Sequence, residues 1–217
     1  MVDSRSCHHP EILNTNAVTN KKGITGIVLS GGKSSRMGEE KGLALFNGKP
    51  LVKYAIEILE SVCDEVLISA NNNQDEYAKF NCRVVSDRHK GVGPMGGLSA
   101  CLEQSESRLN AVLSCDTPFI PSGLFTHLEE KMDNQQAAIP VYKGYPEPLC
   151  GIYATNALWH MNDLISKHQY KMMNLLDTIH CLKVEIHPAL PFYSDDMFLN
   201  MNTGKDLKAS ETGRSKR

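Results

Sequence analysis

The sequence predicts an α/β fold: one domain built on a mostly parallel sheet flanked by helices. Three observations predict it. Short apolar runs alternate with segments of helical periodicity. The first run, Ile24 to Leu29, is apolar almost throughout, as suits a parallel strand covered on both faces. The 217 residues are enough for one sizeable core but short for two full domains.

The elements follow in order. Residues 1–22 are polar, rich in Asn and Thr, and read as a flexible extension. The domain is expected over 23–209, with a polar, basic tail over 210–217. Gly23 to Leu29 is the first strand. From Pro50 to Cys63, apolar residues recur at offsets of three and four (Leu51, Tyr54, Ala55, Ile58, Leu59, Val62), the mark of an amphipathic helix with Pro50 in its first turn. Strands are expected at Glu65 to Ala70 and Cys82 to Ser86, with a short helix from Gln74 to Phe80 between them. The loop Gly91-Val92-Gly93-Pro94-Met95-Gly96-Gly97 leads into a helix through Leu98, Cys101 and Leu102. Asn110 to Cys115 is a strand, Pro121 to Met132 a helix, and Ala137 to Val141 a fifth strand. A further strand is expected from Pro146 to Tyr153. Helices follow at Ala157 to Lys167 and Lys171 to Thr178, then a strand at Leu182 to Ile186 and a last short helix at Thr203 to Ala209.

Composition excludes some function classes. Lys+Arg 23 against Asp+Glu 25 gives a formal charge of -2, which argues against a nucleic-acid partner. No apolar run approaches the ~20 residues that cross a bilayer, so no membrane partner is expected. The 7 cysteines include no Cys-x-x-Cys pair and read as reduced, mostly buried thiols in a cytoplasmic protein.

Chemistry gathers at the predicted strand ends. After Leu29 the chain breaks on Ser30-Gly31-Gly32 and then turns basic at Lys33, Arg36 and Lys41. Such a loop brings backbone N–H groups close to an anion, and the cations complete a phosphate site. It is neither a Walker A nor a dinucleotide fingerprint, and by itself it also fits a strand-to-helix turn with a solvated basic flank. Asp87 and Asp116 each close a predicted strand. In parallel sheets, ligands sit beyond the carboxyl ends of the strands, so the two glycine loops and two aspartates share one edge. Asp116 fits a Mg²⁺ ligand, since that ion takes one or two carboxylates plus phosphate oxygens; it equally fits a turn residue capping the next helix. Asp87 divides in the same way between a ligand contact and a cap.

The run Leu29-Ser30-Gly31-Gly32-x-Ser34-x-Arg36-Met37-Gly38-x-x-Lys41, followed by Gly48-Lys49-Pro50-Leu51, resembles the signature of the MobA-like nucleotidyltransferases. Four later elements match in order: Asp87, Gly93-Pro94-x-Gly96-Gly97-Leu98 with Gly91 before it, Asp116-Thr117-Pro118, and Glu147-Pro148-Leu149. Asn200-Met201-Asn202-Thr203 with Asp206-Leu207 extends the match to most of the chain. One departure is Ser69, where family members commonly carry Asn; Asn71 lies two residues on.

The resemblance implies a Rossmann-like nucleotidyltransferase fold and Mg²⁺-dependent transfer of GMP from GTP to the terminal phosphate of molybdenum-bearing molybdopterin. Arg36, Lys41 and Asp116 are the implied catalytic residues, with Asp116 holding the metal. Leu29, Ser30, Gly31, Gly32, Lys41, Asp87 and Asp116 are the implied nucleotide contacts. Gly93, Pro94, Gly97, Glu147, Pro148, Asn200 and Asn202 are the implied contacts to the pterin acceptor. The implied partners are GTP and molybdenum-molybdopterin, with molybdoenzymes or their chaperones as candidate recipients of the product. Two other readings stay open: a relative that uses CTP or a sugar-phosphate acceptor, and a non-catalytic nucleotide- or pterin-binding module.

Overall fold

The computed structural model describes residues 23–31, 40–89 and 91–201. Its strands are β1 (Ile24–Leu29), β2 (Leu45–Phe46), β3 (Lys49–Pro50), β4 (Glu65–Ser69), β5 (Arg83–Val85), β6 (Leu109–Ser114), β7 (Ala137–Tyr142), β8 (Tyr145–Pro146), β9 (Cys150–Ala154) and β10 (Cys181–Ile186). Its α-helices are α1 (Leu51–Glu60), α2 (Gln74–Ala78), α3 (Pro94–Gln104), α4 (Gly123–Glu129), α5 (Ala157–Ser166) and α6 (Met172–Thr178).

The main sheet runs β10-β7-β9-β6-β1-β4-β5, with β8 pairing β7. β1 is parallel to both neighbours, in the registers Leu29↔Ser69 and Leu29↔Ser114. β9 is antiparallel to β6 and β7, and β8 is antiparallel to β7; the other strands of the sheet share one direction. The sheet is mixed and mostly parallel.

Alternation along each strand builds two cores. Val28, Ile68, Ala111 and Leu113 face a layer containing α1 and α4, through Val52, Ile56, Leu59, Leu124 and Leu128. Ile27, Leu67, Val112 and Ile139 face the opposite layer of α3, α5 and α6, through Met95, Leu98, Met161 and Leu175. The period of two in a strand buried on both faces explains why these runs read as continuously apolar.

Four expectations are corrected. The chain between Lys41 and Pro50 carries a 3₁₀ turn (Lys41–Leu43) and a small antiparallel hairpin, β2-β3. Asn47 and Gly48 have φ of 49° and 75°, as a type I′ hairpin turn requires. Pro50 therefore ends that hairpin and precedes α1, in an extended conformation (φ -58°, ψ 140°); lacking an N–H, it costs little at an edge position. The strand expected from Pro146 to Tyr153 is two strands, interrupted at Glu147-Pro148-Leu149. Gly96 and Gly97 belong to the first turn of α3, which begins at Pro94 after Gly93 (φ 72°). The expected extension, tail and last helix lie outside the described residues.

Candidate active site

Chain order reverses across β1. After β1 the chain lays down β4 and β5 on one side, then returns to place β6 on the other. A crevice is expected where neighbouring connections diverge in this way. Backbone bonds hold its floor: the Ser30 N–H donates to the Ser69 carbonyl (3.0 Å), Ala70 to Val85 (3.0 Å) and Cys115 to Leu29 (3.2 Å).

Asp116 sits at this crevice, two residues past the last paired position of β6. Its Oδ1 accepts a hydrogen bond from the Ser114 hydroxyl (2.5 Å), and its Oδ2 forms an ion pair with Lys41 Nζ (2.5 Å). The two side chains of the pair retain 20% and 15% exposure, so the pair is accessible from solvent but mostly shielded. Thr117 closes the turn by donating its hydroxyl to the Ser114 carbonyl (2.9 Å), and the Asp116 carbonyl accepts from Met201 N–H (2.8 Å). Lys41 reaches Asp116 because the 3₁₀ turn packs closely on the floor. A side chain on Gly42 would lie 2.5 Å from Tyr77 Oη and 3.0 Å from Ser30 Oγ, so only glycine fits there. Both hydroxyls are buried.

A second cluster forms at the ends of β4 and β5. Asp87 N–H donates to Asn71 Oδ1 (2.9 Å), and Ser69 is within 3.5 Å of Asp87 Oδ1. A side chain on Gly97 would collide with Ser69 Oγ and come within 3.2 Å of Asp87 Oδ1, so α3 packs its first turn directly against this carboxylate. Asn71 turns its Nδ2 toward Gly31. Asn71 therefore braces Asp87, while Ser69, at the departure from the family pattern, packs between Asp87 and Gly97 and is 3% exposed.

Glu147 enters from the opposite direction. Because β9 is antiparallel, the residues preceding it lie at the carboxyl edge of the parallel strands. Glu147 is held by its N–H on the Pro140 carbonyl (2.9 Å), and the Leu149 carbonyl accepts from Ser114 N–H (2.9 Å). Burial, then the Asp116 charge, push the Glu147 carboxyl above its ordinary pKa of 4.5. The folded state thus disfavours ionised Glu147. Both states are protonated well below pH 4.5, and the destabilisation becomes complete only above the raised folded value. Glu147→Gln is expected to raise the melting temperature at pH 8, with the gain vanishing as pH falls through 4.5. Thermal melts across that range test this.

The structure brings together Leu29, Ser30, Gly31, Lys41 and Asp116 at one end of the crevice and Asp87, Gly93, Pro94 and Gly97 at the β4-β5 end. Glu147 and Pro148 reach the crevice through β9, and exposed Asn200 lies one residue before Met201, which bonds to Asp116. Gly32, Arg36 and Asn202 lie outside the described residues. Ser114 and Asn71 were not among the expected site residues. Ser114 carries a faint signal, a hydroxyl two residues before a strand-end carboxylate; Asn71 carries the signal of its offset from Ser69.

Cys115, beside Asp116, is fully buried, and burial first, then Asp116, push its thiol up to about 12. Among the described residues no group of three or more His, Cys, Asp or Glu side chains could hold a metal. A divalent ion at Asp116 would take its other ligands from phosphate oxygens and water, as Mg²⁺ commonly does.

Comparison with known proteins agrees with this fold. The MobA-like NTP transferase domain matches residues 26–182. A protein of Yersinia pseudotuberculosis serotype O:1b named molybdenum cofactor guanylyltransferase is 33% identical over 199 residues, covering 88% of this chain and 96% of the relative. A Yersinia pestis protein of the same name has the same identity and coverage. The crystal structure of molybdopterin-guanine dinucleotide biosynthesis protein A from Archaeoglobus fulgidus superposes with a TM-score of 0.76 at 27% identity, covering 89% of this chain and 100% of that one.

Proposed function

Since the chain belongs to the MobA-like NTP transferase family, we propose that it transfers GMP from GTP to the terminal phosphate of molybdenum-bearing molybdopterin. An acceptor phosphate oxygen bonds to the α-phosphorus of GTP, the bond from that phosphorus to the oxygen bridging to the β-phosphorus breaks, and pyrophosphate leaves. The observation that carries the reading is the Lys41–Asp116 pair at the reversal of strand order, beside the glycine loop. It supplies one cation and one metal-binding carboxylate where a triphosphate would lie. The names of the relatives support the choice of GTP and of the pterin acceptor.

The work required of the protein is positioning and charge neutralisation. Lys41 offsets phosphate charge and, with Ser114, orients the Asp116 carboxylate. Asp87, braced by Asn71 and the first turn of α3, faces the nucleoside end. Glu147 accepts a proton more readily than an ordinary glutamate, which reduces its repulsion of an incoming anionic acceptor. A Mg²⁺ ion on Asp116 would supply charge stabilisation at the phosphates. No described helix is long and apolar enough to cross a membrane, and the proposed setting is the cytoplasm.

The test is pyrophosphate release with molybdenum-molybdopterin and Mg²⁺, comparing GTP with CTP and ATP. Release that is selective for GTP and abolished by EDTA is the expected result. Preference for CTP would overturn the guanylyl assignment, and nucleotide binding without turnover would overturn the catalytic one.

A further inference from the structure

The stretch after β10, residues 187–201, contains no helix or strand, yet it is fastened at two points. It leaves the edge strand of the sheet and ends beside its centre, where Met201 N–H donates to the Asp116 carbonyl (2.8 Å). Between these points it meets the end of β7. The Tyr142 hydroxyl donates to the Asp195 carbonyl (2.8 Å), and its ring packs against Phe198 at 4.9 Å between centroids and Tyr193 at 6.2 Å. Tyr193 returns a bond within the strap, donating to Asp195 Oδ1 (2.8 Å). Lys143 Nζ lies 4.8 Å from the centroid of the Tyr142 ring.

Burial along the strap alternates with purpose. Met197, Phe198 and Met201 are buried and act as anchors; Leu199 and Asn200 between them are exposed. Asn200 is therefore presented to solvent by a span held at Tyr142 on one side and at Asp116 on the other. A strap without ladder bonds owes its position to such point contacts, because an unrestrained segment of this length samples many conformations. The hydrogen bond from Tyr142 ties the sheet to the strap upstream of Asn200, while buried Met197 and Phe198, and Phe192 against His127, hold its apolar side.

We propose that Tyr142 is a positioning residue for the acceptor: its hydroxyl, by holding the Asp195 carbonyl, sets the strap so that Asn200 stands beside Asp116. The inference rests on the transferase reading for its consequence and on geometry alone for the clasp. It assigns acceptor binding, and not nucleotide binding, to a residue at the far side of the β7-β8 hairpin.

The experiment uses the full chain carrying Tyr142→Phe, which keeps the ring and its packing and removes only the hydroxyl. Loss of one such hydrogen bond is expected to raise KM for molybdenum-molybdopterin about fivefold. KM for GTP and the melting temperature stay near wild type. Amide hydrogen exchange at Met201 is expected to accelerate by a similar factor. Unchanged exchange at Met201 would overturn the clasp. Accelerated exchange with equal rises in both KM values would overturn the assignment to the acceptor. A wild-type chain that performs no guanylyl transfer would refute the function, while exchange at Met201 still decides the clasp.

Discussion

Asp116→Asn is expected to lower the rate of pyrophosphate release by about a thousandfold or more. The substitution preserves shape. Asn can still accept from the Ser114 hydroxyl through its carbonyl oxygen, so the turn at Thr117 and the Met201 bond are retained. What is lost is the anionic charge. Its amide NH₂ would face Lys41 Nζ, placing two donors together where an ion pair stood. No described cluster of ligands takes over the metal-binding role. Turnover is therefore expected to fall far more than nucleotide affinity, because the proposed contacts of the triphosphate with Gly31 and Lys41 do not involve the lost charge. Kinetics over a Mg²⁺ titration make the comparison; a rate within tenfold of wild type would place the metal elsewhere.

The contrast between Asp116 and its neighbours shows what a sequence exposes. Asp116 is legible because a carboxylate that ends an apolar run can lie in only one place if that run is a parallel strand. Lys41 is legible as a cation near a glycine loop, but its partner is 75 residues away, and no spacing rule reaches that far. The direction of β9 is not legible either. A five-residue apolar strand reads the same both ways, and only the tight turn at Lys143 and Gly144 (φ 51° and 83°) hints at a reversal. That reversal delivers Glu147 to the active edge.

The hairpin at Asn47-Gly48 is a different case. It carries a strong local signal, yet each strand has two residues, too few to show a period, and the following Pro50 suggests a helix start. Helices α1, α5 and α6 are legible because packing on one face of a sheet demands regular apolar spacing, and their ends lie within three residues of the expected ones.

Removing Lys41 tests the other half of the pair. Lys41→Met is expected to weaken GTP binding in the presence of Mg²⁺ by about a hundredfold, the loss that follows when one partner of a shielded charge contact is removed. Methionine keeps most of the length of the side chain, and Gly42, on which the 3₁₀ turn packs against Ser30 and Tyr77, is untouched. Arginine should recover only part of the affinity, since its planar fork replaces a compact charge. Calorimetric titration measures the affinity, and an unchanged Kd would remove Lys41 from the phosphate site. Stability of the free protein responds less. Both side chains keep some contact with water, so the pair contributes only about 1 kcal/mol, or roughly 2–4 °C for a chain of this size. Asp116→Asn and Lys41→Met break the same contact. Their effects on melting should therefore fall short of additivity in the double variant, with a coupling of about 0.5 kcal/mol or more. Strict additivity would mean that the two side chains do not interact in solution, and the crevice would then lack the paired charges on which phosphate binding is argued.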